Sequence, residues 1–319
     1  MAFPAVTDIV ATTIQNRSRS IADNVTKNNV VSTKLDQRGN VKPFGGGNTI
    51  MQELSFAQNA NGGWYSGYDL LPVAAQDVIS AAEYAIKQLA CPVVCSGLEQ
   101  LQNAGREQMI DLLEGRITVA EATMANLLAG GIYADGTGSG GKELTGLNAA
   151  VPTNPATGTY GGIDRATWAF WRPKVQSGTA LTIANIGTAM NTLWANLVRG
   201  SDRPDLIVFD NLFWGIYMGS LQAQQRFTQA ETGKLGFPSI KFMDCDVVLD
   251  GGIGGFCPAS TGFFLNTKYL FLRPHSARNM TTLSPNRRYS INQDAEVQIL
   301  AWAGNLACNG QQFQGRLTN

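Results

Sequence analysis

Apolar residues recur at helical spacing between Ser96 and Gly131. They are Leu98, Leu101, Met109, Leu112, Leu113, Ile117, Ala120, Met124, Leu127 and Leu128. Ser96 followed by Glu99 matches a capping box, and Gly130-Gly131 supplies a stop. The pattern predicts a helix roughly 50 Å long at 1.5 Å per residue, too long for a core element and suited to a spine. Gly105 and Gly115 each weaken it by roughly 1 kcal/mol relative to alanine, so packing holds it straight or it bends there.

The flanks carry different patterns. Residues 1–45 read as an arm: short apolar clusters at Ile9–Ile14 and Val25–Val31, a helical fragment over Asp8–Asn24, and GNVKPFGGG at the end. Such an arm has no core of its own and is either disordered or packed on another surface. Residues 46–94 read as an extended excursion. Thr49 to Phe56 alternates as a strand, and Asn61-Gly62-Gly63 marks a reversal in the tip QNANGGWYSGYDLLP. The return, Val78–Val94, fits a helix by its alanines and a strand by its alternation, with regular pairing expected to stop at Pro92. A hairpin exposing Trp64, Tyr65 and Tyr68 is an aggregation hazard unless a partner covers it.

After the helix, residues 130–165 are rich in Gly, Thr, Asn and Pro and lack periodicity, which suits a functional or interface loop. Trp168 and Trp171 then supply large apolar anchors. Residues 180–265 read as a second globular unit. It starts with a helix from Ile183 to Val198 ended by Gly200, then a buried strand Leu206–Phe209 and a helix capped by Asp210 running to about Phe227. A strand over Ile240–Leu249 completes it. Segments 263–273 and 294–307 read as closing strands. Helix and strand alternate in a way that suits α/β or α+β.

Composition adds little charge: 15% of residues are charged, with 24 basic against 24 acidic. Soluble domains average roughly 25%. A neutral, amide-rich surface lets like surfaces approach without repulsion. There is no basic stripe or tail of a nucleic-acid reader. No apolar run reaches membrane-spanning length, and MAFPAVTDIVATT lacks a leader pattern, so neither span nor signal peptide is expected. The five cysteines, Cys91, Cys95, Cys245, Cys257 and Cys308, have irregular spacing and read as buried free thiols.

Catalytic patterns are weak. His275 is the single histidine, and no Gly-x-Ser-x-Gly elbow accompanies it. Gly136, Gly138, Gly140 and Gly141 precede Lys142, but Glu143 stands where a phosphate loop needs Ser or Thr. Asp244, Asp246 and Asp250 have the wrong spacing for a calcium loop and fit the solvent side of a strand. No carboxylate pair is singled out for glycosidase chemistry. No catalytic, cofactor or metal residue is assigned.

Taken in order, arm, hairpin, long helix, glycine-rich excursion, compact unit and final strands resemble the major capsid proteins of tailed bacteriophages. SAAEYAIKQLACPVVCSGLEQLQNAG is similar to the family's hairpin return and helix start, and IDLLEGRITVAEATMANLLAGGIYADG to the rest of that helix. TYGGIDRATWAFWRPKV resembles the exit from the glycine-rich region, PDLIVFDNLFWGIYMGSLQAQQRF the central domain, and STGFFLNTKYLFLR a late strand. The resemblance covers about residues 45–305. It implies an α+β fold of the Hong Kong 97-like type. In it, 1–45 is the N-terminal arm, 46–94 the extended loop, 95–179 the peripheral domain with the spine helix, 180–265 the axial domain, and 266–319 strands returning to the peripheral domain.

The function so implied is an icosahedral head, built from hexamers and pentamers, that encloses the phage DNA genome in the virion after assembly in the host cytoplasm. Its partners would be copies of itself, a separate scaffolding protein, a decoration protein, a portal at one vertex, and double-stranded DNA touched without sequence preference; no membrane is involved. The candidate intersubunit contacts are Trp64, Tyr65, Tyr68, Phe56, Phe3 and Phe44. Some family members join an extended-loop lysine to an asparagine. Here Gly45–Glu83 holds no lysine, with Lys42 and Lys87 at its base, so cross-linking through Asn305 or Asn309 is not expected. Many members also begin with a scaffolding segment removed after assembly; the short arm read here, without a charge-rich coiled-coil pattern, implies that scaffolding would be a separate protein. The rival readings are a phage tail or other ring- or tube-forming structural protein, and an α+β enzyme.

Overall fold

The computed structural model describes residues 29–98, 106–177, 180–223, 239–252, 255–283, 288–289 and 295–319. The described residues begin with α1 (Val30–Gln37), the hairpin β1 (Thr49–Ser55) and β2 (Ile79–Ala85), then β3 (Lys87–Ser96) and α2 (Arg106–Tyr133). Next come the short pair β4 (Thr159–Tyr160) and β5 (Ile163–Asp164), β6 (Lys174–Gln176), α3 (Ile186–Leu197), β7 (Leu206–Phe209) and α4 (Asn211–Ala223). Strands β8 (Ser239–Phe242), β9 (Cys245–Leu249), β10 (Thr261–Leu265), β11 (Leu270–Pro274), β12 (Thr281–Thr282), β13 (Arg288–Tyr289), β14 (Ala295–Cys308) and β15 (Gly315–Thr318) follow. The architecture is α+β.

Strand β14 is the axis of an antiparallel sheet. Along one side it pairs with β3, from Ala295↔Ser96 to Gly304↔Lys87. Along the other it pairs in turn with β13, β12 and β11. Pro92 sits within β3 opposite Ile299 and does not stop the pairing, because β3 is an edge strand whose outer side needs no ladder donor. The second sheet is mixed, in the order β6-β15-β10-β7-β9-β8, with β7 parallel to β9 and β15 parallel to β6. Its central strands are buried on both faces. Leu206, Val208, Phe263 and Leu265 face one apolar core, while Ile207, Phe209 and Phe264 face a second core built with α3 and α4. The two-residue strand period thus makes one sheet the wall between two cores.

Several sequence expectations change. Ser96 is the last residue of β3 and directly precedes the helical residues Gly97 and Leu98, the position expected of a cap, while Glu99 and Gly105 lie outside the described residues. The long helix is α2, about 42 Å at 1.5 Å per residue. Gly130 and Gly131 do not stop it; it runs on to Tyr133. They serve close packing: a Cβ on Gly131 would meet Leu144 Cδ1 at 2.8 Å, and one on Gly130 would meet Phe256 at 3.2 Å. Val78–Val94 is strand, divided at Ile86 between hairpin and large sheet. The single strand expected over 240–249 is a hairpin, turning at Met243, whose φ is +51°.

The segment 263–273 is likewise two strands in different sheets. The polar Asn266-Thr267 pair interrupts it with a 3-10 turn, where the Asn266 side chain accepts from the Lys268 N–H at 3.2 Å. The unexpected β15 pairs with β10 and β6, so the chain's end joins the sheet shared with residues 180–265. Of the expected arm, residues 29–45 pack on the subunit itself. Asn29 caps α1, and Val30, Val31 and Leu35 enter the first core. The helical fragment expected over Asp8–Asn24 lies outside the described residues. Trp171 is an anchor, buried with its indole N–H donating to the Tyr160 carbonyl at 2.9 Å, whereas Trp168 is half exposed.

Candidate assembly surface

The hairpin β1–β2 has one face on the body and one in solvent. Period-2 alternation buries Ile50 and Leu54 on β1 and Ala82 and Tyr84 on β2, leaving Met51 and Ile79 exposed. Its base is tied down by polar contacts. The Tyr84 hydroxyl donates to the Cys308 carbonyl at 2.6 Å and accepts from the Cys308 N–H at 3.1 Å. Burial pushes that phenol well above its ordinary pKa, so it stays a neutral donor. Arg273 donates to Gln52 at 3.1 Å, and the Glu83 N–H donates to Gly161 O at 2.9 Å. Gly161 has φ +59°, a left-handed conformation in which a side chain would also press on Tyr84.

Beyond Ser55 the regular pairing ends and apolar residues stand in water. Trp64 and Tyr68 are fully exposed, Leu70 and Val73 are above 90% exposed, and Tyr65 and Leu71 are more than half exposed. Local turns hold the backbone: Asn59 Oδ1 accepts from Asn61 N–H, and Asp69 Oδ2 from Ser66 N–H, both at 2.9 Å. Contiguous exposed apolar surface of this kind is a feature of sites of association.

The other candidate residues lie elsewhere. Phe56 is partly buried, tilted against Phe170 at 5.7 Å, and Phe44 is buried edge-on to His275 at 4.9 Å, which leaves little of its ring for a second chain. Phe3 lies outside the described residues. Leu70, Leu71, Val73 and Ile79 were missed as contact candidates. The signal was present in the run Leu70-Leu71-Pro72-Val73 directly after the aromatics.

The chemistry-bearing side chains are engaged within the subunit. Asp246 pairs with Lys34 and Asp244 with Arg203, each at 2.7 Å. Asp250 accepts from the Tyr133 hydroxyl and from Asn29 Nδ2. Burial outweighs these hydrogen bonds and holds the Asp250 carboxyl above its ordinary range. His275 Nδ1 accepts from the Ala277 N–H at 3.1 Å. Burial pushes the Cys245 thiol up to about 11 and Cys308 to about 12. Asn305 is fully buried and Asn309 donates to Glu53 O at 3.3 Å, while Lys87 donates to Gly141 O and Lys42 lies over Phe271. Among the described residues, no three His, Cys, Asp or Glu side chains converge to hold a metal ion. None of their helices is long and apolar enough to cross a membrane.

No family model and no curated protein matches the sequence. Solved structures do match in three dimensions. The cyanophage A-1(L) capsid asymmetric unit superposes with a TM-score of 0.63 at 19% identity, covering 88% of this chain and 90% of that one. The capsid of the native GTA particle gives 0.59 at 15% identity, covering 90% and 89%. This chain has the fold of these capsid subunits. The holo-SrpI encapsulin complex from Synechococcus elongatus matches at 0.55 with 8% identity, covering 90% and 86%.

Proposed function

We propose that this protein is the major capsid protein of a tailed bacteriophage. It self-assembles through hexamers and pentamers into the icosahedral head that encloses the DNA genome. The observation that carries this reading is a capsid-subunit fold spanning nine-tenths of the chain, with an apolar hairpin tip left bare by the described residues. A monomer would gain nothing from exposing Trp64, Tyr68 and Leu70 to water. A shell subunit covers them on assembly.

In this reading residues 1–45 are the arm, 46–94 the extended loop, and α2 the spine of a peripheral domain over 95–179. Residues 180–265 form the axial domain that gathers at five- and six-fold axes; β11 to β14 return to the peripheral domain, while β15 closes on the sheet shared with residues 180–265. The intersubunit contacts are Trp64, Tyr65 and Tyr68 at the tip, with Phe56 at its root. A separate scaffolding protein sets shell size, a portal occupies one vertex, and a decoration protein binds outside. DNA is touched without sequence preference, as suits a chain with equal numbers of basic and acidic residues.

The test is electron microscopy and sedimentation of the expressed chain, alone and with a candidate scaffolding protein from the same genome. Closed icosahedral shells are expected. A monomer, a small ring or a tube under assembly conditions refutes the reading, and the last two outcomes favour a tail component.

A further inference from the structure

Asparagine is followed by glycine twice in the chain, at Asn61-Gly62 and Asn309-Gly310. In such a pair the glycine amide nitrogen can reach the asparagine side-chain carbonyl, because no Cβ stands in the way. The two pairs sit in opposite surroundings. Gly310 is buried, and a Cβ there would stand 2.7 Å from Tyr269 and 3.0 Å from Phe313. The Asn309 N–H donates to the Tyr269 carbonyl at 3.1 Å, and the Gly310 carbonyl accepts from the Phe313 N–H at 3.3 Å. Ring closure needs the backbone between the two residues to rotate, and packing opposes that at 309–310.

Asn61-Gly62 lies in the hairpin tip, where every residue from 62 to 77 is exposed. The fold does not need glycine at 62. Its φ lies outside the left-handed region, and a Cβ would meet the Asn59 carbonyl oxygen at 3.4 Å, an ordinary contact. The bonds that restrain the pair are turn bonds in water: the Gly62 N–H donates to Asn59 O at 3.1 Å, and the Asn61 N–H to Asn59 Oδ1 at 2.9 Å. Exposed bonds of this kind open at little free-energy cost, unlike those of a core.

Asn61 also holds the loop together. Beyond the Phe56 N–H to Val78 O bond at the root, the two limbs are tied by Asn61 Nδ2, which donates to the Ala74 carbonyl. Replacing that NH2 with a carboxylate oxygen sets an acceptor against an acceptor. It also adds negative charge to a segment, 56–78, that holds Asp69 and Asp77 and no Lys or Arg.

We propose that Asn61-Gly62 is a self-modification site, where Gly62 N attacks Asn61 Cγ and the resulting succinimide opens to aspartate or isoaspartate, untying the loop. Hydroxide takes the Gly62 N–H proton, the N–Cγ bond forms as Cγ–Nδ2 breaks, and Nδ2 leaves as ammonia with a proton from water. Water then adds to a ring carbonyl. Opening at Cγ gives aspartate; opening at the Asn61 backbone carbonyl gives isoaspartate, with the chain running through Cγ. One water is consumed, one ammonia is released, and nothing is oxidised or reduced. Where the tip is an assembly contact, as proposed above, subunits left unassembled lose association strength; the modification itself does not depend on that reading.

The purified chain, kept dilute and unassembled at mildly alkaline and mildly acidic pH, tests it by peptide mapping of both pairs. Conversion is expected at Asn61, faster in proportion to hydroxide, as two products with the mass gained when –NH2 becomes –OH, and Asn309 is expected to stay intact. Gly62→Ala, which the fold accommodates, is expected to slow conversion at least about tenfold. Limited proteolysis within 56–78 is expected to run faster in the converted chain and in Asn61→Asp than in the fresh parent. No conversion at Asn61, equal conversion at Asn309, or conversion that leaves proteolysis at the parent rate overturns the proposal. Conversion with faster proteolysis, in a chain that never forms shells, upholds the site and removes the shell reading.

Discussion

Gly146 begins the short helical turn Leu147–Ala150 and lies against the last turn of α2. Its φ of −86° is open to any residue, so the requirement for glycine is steric. A Cβ there would stand 2.5 Å from the Gly131 carbonyl oxygen and closer still to that of Ile132. Both obstacles are backbone, which cannot rotate away. Relief requires a separation of about 1 Å, given the usual contact distances. That movement breaks the Gly146 N–H to Ala134 O bond and strains the Ala134 N–H to Gly131 O bond, both 3.1 Å. Each is worth roughly 1 kcal/mol, and overpacking adds about 1–3. Gly146→Ala is therefore expected to cost about 3–5 kcal/mol in urea or thermal unfolding of the unassembled subunit. Gly115→Ala is the control, since no atom lies within 4 Å of its Cβ position inside α2. It is expected to stabilise by roughly 0.5–1 kcal/mol. If Gly146→Ala unfolds within about 1 kcal/mol of the parent, the steric argument fails.

Deleting Asn59–Tyr68 is expected to leave subunit unfolding unchanged and to block or weaken shell formation in sedimentation and negative-stain microscopy. Parent-like assembly would count against the tip as a contact. The raised Asp250 carboxyl binds its proton more tightly folded than unfolded, so its contribution is full below the ordinary carboxylate range and is lost as pH rises through the raised value. Asp250→Asn is thus expected to gain on the parent near neutral pH and to lose that gain on acidification, and a gap independent of pH in a stability–pH series would refute it. Asn305→Ala removes the partner of the buried Leu306 N–H and of the part-buried Thr145 N–H and Ala85 carbonyl, expected to cost about 1–3 kcal/mol by the same unfolding assay.

The sequence displays patterns whose cause is local. Alternation in Thr49–Ser55 and helical spacing from Ile117 to Leu128 place side chains on a face, and those faces are the buried ones. Asp210 caps α4 as expected, accepting from the Phe213 N–H at 3.0 Å. Patterns with a distant cause were not legible. Gly130-Gly131 has the composition of a helix stop, yet its meaning is set by Phe256 and Leu144, which arrive from elsewhere in the chain. The division of 263–273 depends on Asn266 and Thr267 being held by Gln314 and Asp205. Strand β15 is too short for periodicity and exists because β10 and β6 offer open edges. The aromatic tip was legible because none of the other described residues covers it.

The two ends of the hairpin are built on opposite principles, and the contrast bears on assembly. At the base, one fully buried asparagine joins three parts of the chain. Asn305 Oδ1 accepts from the Thr145 N–H at 3.1 Å and the Leu306 N–H at 2.9 Å, and its Nδ2 donates to the Ala85 carbonyl at 2.8 Å. Tyr84 adds its paired bonds to Cys308 beside it. Glycine-rich turn, hairpin and central strand are thereby fixed to one another before any partner arrives. At the tip, apolar surface is left without cover. A flexible arm would have to be ordered on binding, at roughly 0.5–1.5 kcal/mol for each immobilised side chain plus the backbone. A stalk held by Asn305 and Tyr84 has met part of that cost during folding. In the proposed shell, the hydrophobic gain at the tip is then available for association, and the buried Asn305 and Tyr84 contribute to its strength by holding the stalk.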